Sequence, residues 1–280
     1  GSPFSTGGTY TNVLATNDDG TLLFAGNSSS RNITTFRAAV APTALTSLSM
    51  QPSNTLGTSG ELAGLAYVPP IASGFVYALR QVNGGANQVY GFSVNASTGA
   101  LTALAGFPVS TGGNGAANTG SRQLAYDRIN ARLFALNDGS DTVTMFAVNR
   151  LTGALTSLGS IAAGSGDSSA LALNPAGTVL TVSSTGGMRS VRIDTAGGTL
   201  ASSVVTGGAG GAFSADGARF FAAESATLSS YAVDAVTGTV TLTTGAGVQT
   251  GFGATDFVSV DAEGRVFFAS RSGGGVVGAY

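Results

Sequence analysis

The 280-residue chain contains no cysteine, histidine, lysine or tryptophan. Without cysteine there are no disulfides, no thiolate nucleophile and no zinc–thiolate site. Without histidine the commonest general base and the commonest metal ligand are both missing, and a Ser-His-Asp relay is excluded. Charge is also scarce: charged residues make up 9% of the chain, and twelve arginines against fourteen acids leave a formal charge of -2. That balance provides no electrostatic footprint for nucleic acid or for an anionic membrane. No run approaches the length of a membrane-spanning helix, and the N-terminus has no basic region followed by an apolar stretch. The expectation is a soluble chain, or a mature form already processed.

What remains is apolar and rich in glycine, with 43% hydrophobic residues and 43 glycines. Many short strands joined by glycine turns fit that composition. Three stretches align without gaps: QVYGFSVNASTGALTAL (88–104), TVTMFAVNRLTGALTSL (142–158) and LSSYAVDAVTGTVTLTT (228–244). RSVRIDTAGGTLASSV, from Arg189, is a shortened relative. Each alternates apolar and polar residues, breaks at Thr-Gly or Gly-Gly, and alternates again, which is the pattern of a hairpin. Another hairpin precedes each one, as in LAYDRINARLFALN (124–137) and GAFSADGARFFAAE (211–224). The repeating unit is therefore four strands, a to d. Six first hairpins start near Leu14, Leu65, Leu124, Leu171, Gly211 and Val258, at separations of 51, 59, 47, 40 and 47 residues. Four strands at that period predict an all-β fold, a β-propeller of antiparallel blades forming one domain over 1–280. Six blades are visible, and a seventh is possible if the chain is a fragment.

An apolar strand, an N/D-x-x-G turn, a second strand, an "F.V....TGALT.L" hairpin and a "G.PF.TGG" connector together resemble the lactonase-like, YVTN-type β-propellers across essentially the whole chain. The resemblance implies the propeller fold. That family includes 6-phosphogluconolactonase-like enzymes, usually seven-bladed, beside bacterial surface or secreted propellers of unassigned role. Six first hairpins and no histidine are departures from its enzymes.

In a propeller the d-to-a connectors and the b-to-c turns share one face, where ligands meet the fold. Aligning the second strands places Asn27, Arg80, Asn137, Ser184, Glu224 and Arg271 at equivalent positions there, with Glu61, Arg122, Asp167 and Asp256 in the connectors. In a functional reading Arg80, Arg122 and Arg271 bind carboxylate, phosphate or acidic sugar groups, and Glu224 or Glu61 serves as base. In the plainer reading strand ends are polar because they emerge into water. NDGSDT (137–142) suggests calcium but lacks the spacing of a calcium loop, so a turn is the better account. GGAGG (207–211) has no lysine or helix start after it and reads as a connector, not a phosphate cradle. The sequons at Asn27, Asn32 and Asn95 carry little weight in a chain so rich in Asn, Ser and Thr. No metal and no cofactor is expected.

Three functions follow. The first is a non-catalytic binding or assembly module, extracellular, at the cell surface or periplasmic; the second is a lactonase-type hydrolase, and the third a lectin-like propeller that binds carbohydrate or acids. GSPFSTGG (1–8) repeats nearly as GFPVSTGG (106–113), so the chain begins with a connector that closes a blade, while the last unit stops after a short third strand. The expectation is a last blade closed only in part by residues 1–8, with a protein partner or second copy at the open edge near Tyr280.

Overall fold

A computed structural model describes residues 5–38, 45–50, 55–71, 74–116, 122–164, 168–184, 187–194, 199–205, 210–224, 227–243, 248–249, 255–261, 266–270 and 276–279. The chain packs as two compact units, Gly1–Ser160 and Ile161–Tyr280.

In the first unit, β1 (Thr11–Thr16), β2 (Leu22–Asn27), β3 (Asn32–Ala38) and β4 (Leu45–Met50) form sheet 1. Sheet 2 contains β5 (Glu61–Val68), β6 (Gly74–Val82), β7 (Gly85–Val94) and β8 (Leu101–Ala103), and β9 (Val109–Asn114) also pairs with β7. Sheet 3 is β10 (Leu124–Asp127), β11 (Arg132–Asn137), β12 (Thr142–Val148) and β13 (Leu155–Ala162). In the second unit, sheet 4 is β14 (Ser168–Leu173), β15 (Val179–Ser184), β16 (Gly187–Ile193) and β17 (Thr199–Val205). Sheet 5 holds β18 (Gly210–Phe213), β19 (Arg219–Glu224), β20 (Thr227–Val233) and β21 (Val240–Leu242), with β22 (Val248–Gln249) also pairing with β20. Sheet 6 is β23 (Thr255–Val260), β24 (Val266–Ser270) and β25 (Val276–Ala279). Neighbouring strands are antiparallel throughout, so each sheet is an up-and-down meander, the blade that the repeat predicts.

One detail of the first strand escaped the pattern of alternation. A register shift between Thr11 and Val13 recurs between Leu62 and Gly64, Ser168 and Ala170, and Thr255 and Phe257. The extra residue bends the inner strand and flips the side chains beyond it.

The core lies between blades, because a four-stranded sheet has two apolar faces to cover. Val13, Phe24 and Ile33 of sheet 1 meet Leu62, Val76 and Phe92 of sheet 2, and Phe24 stacks on Tyr67 with centroids 5.8 Å apart. The other face of sheet 2 gives Tyr77, Leu79 and Val89 to Leu133 and Phe146 of sheet 3. In the second unit Val179 and Met188 meet Phe220 and Tyr231. Burying each of these large side chains contributes about 1.5–3 kcal/mol.

The Thr-Gly turns prove to be joints between blades. Gly99, Gly153 and Gly238 have φ of 68°, 75° and 76°, which side chains rarely adopt. A Cβ on Gly153 would fall 2.6 Å from Leu104 Cδ1 and 2.9 Å from Phe75 of the preceding blade, and one on Gly238 would fall 2.5 Å from Arg192 Cβ. The preceding blade also holds the turn by its carbonyls: Tyr77 donates to Gly153 O at 2.7 Å and Ser190 to Gly238 O at 2.8 Å.

Candidate functional site

On the connector face of the first unit, the duplicated Ser-Thr-Gly-Gly segments take the same conformation. Gly7 and Gly112 have φ of 67° and 78°, and each amide is capped by the serine two residues earlier. Thr34 donates to Thr6 O at 2.5 Å, and its counterpart Thr144 donates to Thr111 O at 2.7 Å. Each of those threonines in turn accepts from the buried asparagine at the end of the second strand, Asn27 at 3.3 Å and Asn137 at 2.9 Å. Asn137 Oδ1 accepts from Thr111 at 2.6 Å and from Asn87 at 3.1 Å. Both asparagines are 0% exposed. Their amides clamp a connector onto a blade, which is why the motif recurs; Asn27 and Asn137 do not stand at a solvated rim.

Arg80 aligns with Asn27 as the sequence implies, since Thr11 pairs with Asn27 and Leu62 with Arg80 on the same side of the register shift. It is half-buried, lies 5.9 Å from the centre of the Tyr90 ring, and donates to Leu56 O at 3.4 Å. Arg31 donates from Nε to the next carbonyl, Gly57 O, at 3.1 Å. Two guanidinium groups thus hold the connector between sheets 1 and 2. In sheet 6 the register gives the matching position to Ser270, opposite Thr255. Arg271 lies outside the described residues, as do Asp167 and Tyr280. Glu224 ends β19 opposite Thr227.

A different corner of this face carries the more reactive chemistry. Glu61 is exposed at the start of β5, opposite Gln81. Gln123 N donates to Ala63 O at 3.1 Å, which draws the segment before β10 alongside β5. Arg122, next to it, has φ of 68° and is half-buried, and burial lowers the pKa of its guanidinium. The Gln123 side chain reaches Asp138, in the turn after β11. Asp138 Oδ1 accepts from Ala116 N at 2.9 Å, and Oδ2 is buried without a hydrogen bond of standard geometry among the described residues. Asp138 is 3% exposed, and burial pushes the pKa of its carboxyl up despite the bonds from Ala116, Gln123 and Gly139. A buried carboxylate with raised proton affinity and an uncommitted oxygen can take and return a proton.

NDGSDT is a turn, as expected, but the sequence gives no reason to single out its first aspartate. NDDG (17–20), NPAG (174–177) and SADG (214–217) are turns whose polar residues cap their own backbone, as Asn17, Asn174 and Ser214 do. Only the register, which brings the connector at Ala116 over Asp138, separates it from them. No group of three or more acidic residues able to hold a metal occurs among the described residues.

Sheets of this build, packed face to face and joined by such clamped connectors, are the blades of a β-propeller of the lactonase-like class. A family model described as "Lactonase, 7-bladed beta-propeller" matches residues 75–255, and the chain belongs to that family. The described residues form six sheets, the sixth with three strands. No curated protein matches the chain. Among solved structures, a Bacteroides uniformis protein provisionally assigned as a 6-phosphogluconolactonase superposes with a TM-score of 0.71 at 16% identity, over 92% of this chain and 77% of its own. A Lactobacillus plantarum protein gives 0.71 at 19% identity, over 95% and 80%. The periplasmic gluconolactonase of Pseudomonas aeruginosa gives 0.65 at 17% identity, over 86% and 71%. At such identities the likeness carries the fold.

Proposed function

We propose that this protein hydrolyses the lactone of a sugar acid on the connector face of its first unit, with Asp138 as the proton-transfer group. The family match over residues 75–255, which spans Arg80, Arg122 and Asp138, carries the reading. A chain without histidine needs a carboxylate as base, and the buried Asp138 has its proton affinity raised toward that task. In the reaction a water gives its proton to Asp138 as its oxygen bonds to the lactone carbonyl carbon. The negative charge that develops on the carbonyl oxygen is met by the Arg122 guanidinium. The ring C–O bond then breaks, the leaving oxygen takes the proton from Asp138, and a hydroxy acid results. Glucono-δ-lactone assayed by proton release in a pH-stat tests the reading. Turnover above the spontaneous rate, reduced about 10²-fold or more in Arg122→Gln, is the expected result.

One observation favours a second reading, a binding module without turnover, extracellular or at the cell surface: Asn27, Asn137 and Arg80 of the expected polar ring are engaged in holding connectors. Saturable binding of gluconate or of a protein partner, with lactone hydrolysis at the background rate, would establish it.

A further inference from the structure

The opposite face of the first unit, formed by the a-to-b and c-to-d turns, carries a set of donors that lactone chemistry does not use. Asp18, in the turn after β1, pairs with Arg128, in the turn after β10. Asp127 pairs with Arg132 at 2.7 Å, 1% and 3% exposed, and also receives the amides of Ile129 and Asn130. These two pairs neutralise each other's charges locally. Arg150, in the turn after β12, is left over: its Nε is buried and has no hydrogen-bond partner among the described residues. The Tyr126 hydroxyl is in the same situation.

The two belong to one corner. Tyr77 of sheet 2, bonded at 2.7 Å to Gly153 O, ties the Arg150 turn to the interface between sheets 2 and 3, where Tyr126 is also packed. Arg150 is the charge that acts most strongly on the Tyr126 phenol, ahead of Asp127, Arg128 and Asp18. A phenol oxygen can accept as well as donate, yet the guanidinium Nε does not bond to it, so among the described residues neither donor has an acceptor. Leaving a buried hydroxyl and a buried guanidinium N–H unsatisfied is unfavourable. A water could satisfy the hydroxyl, whereas a carboxylate can satisfy both donors and balance the arginine charge as well. Ile129 and Leu151, which adjoin Arg128 and Arg150 in the chain, are 66% and 65% exposed and provide apolar surface beside the donors.

We propose that Tyr126 and Arg150 form a binding site for a small organic carboxylate on the face of the first unit opposite the connectors. The carboxylate accepts from the Tyr126 hydroxyl and the Arg150 guanidinium, and its short alkyl part lies toward Ile129 and Leu151. The chain has seven tyrosines and no tryptophan, which suits fluorine NMR of protein labelled with 3-fluorotyrosine. Sodium butyrate is titrated against sodium chloride at matched ionic strength, and the Tyr126 line is the one missing from Tyr126→Phe. The expected result is a saturable butyrate-dependent shift of that line, weakened about tenfold or more in Arg150→Gln, as removal of a charge-assisted bond requires. In unlabelled protein butyrate raises the melting temperature more than chloride does, and Tyr126→Phe loses that increment while retaining lactone turnover. The proposal is overturned if the Tyr126 line does not shift with butyrate, or shifts equally in Arg150→Gln.

Discussion

At the residue scale the polar side chains of this protein divide into those that hold the chain together and those that do not. Asn137 is of the first kind: its amide meets Thr111, Asn87, Thr142 and Thr144, all within hydrogen-bond distance. Asn137→Ala removes those bonds and strands buried partners, so a loss of about 2–4 kcal/mol is expected in urea unfolding. Asn137→Asp is expected to do no better, because it puts an acceptor oxygen where Nδ2 donates to Thr142 Oγ1 and Thr144 Oγ1, and the Thr144 hydroxyl already gives its proton to Thr111 O. Asp138, one residue on, accepts from Ala116 N, a bond that an asparagine oxygen could keep, and its charge is opposed by burial. Its pKa is raised in the folded state, so folding binds a proton more tightly than the unfolded chain does. Stability is therefore greater at low pH and declines as pH rises from the ordinary aspartate range through the raised value. Asp138→Asn removes that decline, and its melting temperature at pH 7 is expected to equal or exceed that of the unmodified protein. A fall of several degrees at pH 7 would show that the carboxylate holds the turn together.

At the scale of elements, the Thr-Gly turn is legible in sequence as a hairpin and illegible as a joint. Spacing fixes the turn locally, as when Asn149 Oδ1 takes the amides of Leu151 and Thr152. Nothing in TGAL says that Gly153 abuts Phe75 and Leu104, because that contact depends on how one blade stacks on the next. Gly153→Ala meets both an unfavourable φ and a blocked Cβ. The expected cost is about 2–4 kcal/mol, read by chemical denaturation, with the largest gain in amide exchange at the junction of β6 and β12. Gly20, with φ of 69° but open space around it, is the control: its alanine variant carries only the backbone strain, about 1–2 kcal/mol. The inner-strand register shift was equally hidden, since one inserted residue looks like a lapse in alternation. In sheet 6 the pairing itself slips by one residue relative to the other blades, so Ser270 takes the place that alignment assigns to Arg271.

At the scale of the whole molecule, the fold follows from the repeat. Four alternating strands every 40 to 59 residues, with glycine at the turns, leave two apolar faces per sheet that only neighbouring blades can cover. The candidate site does not follow in the same way. Strand-end alignment picks out Asn27, Arg80 and Asn137 because they recur, and recurrence marks what the scaffold needs. Asp138 has no counterpart at the other b-to-c turns, and its burial comes from a connector that crosses it, a long-range contact without a local signal.

The proposed hydrolysis requires that carboxylate to act on a lactone, which the kcat/KM of Asp138→Asn for glucono-δ-lactone across pH puts to the test. The unmodified protein should hydrolyse the lactone above the spontaneous rate, with activity falling on the acid side as Asp138 takes up its proton. A folded Asp138→Asn protein should lose about 10²–10⁴-fold and the acid limb with it. Turnover in that variant at the unmodified rate, or none in either protein, would rule out Asp138 as the proton-transfer group of a lactonase.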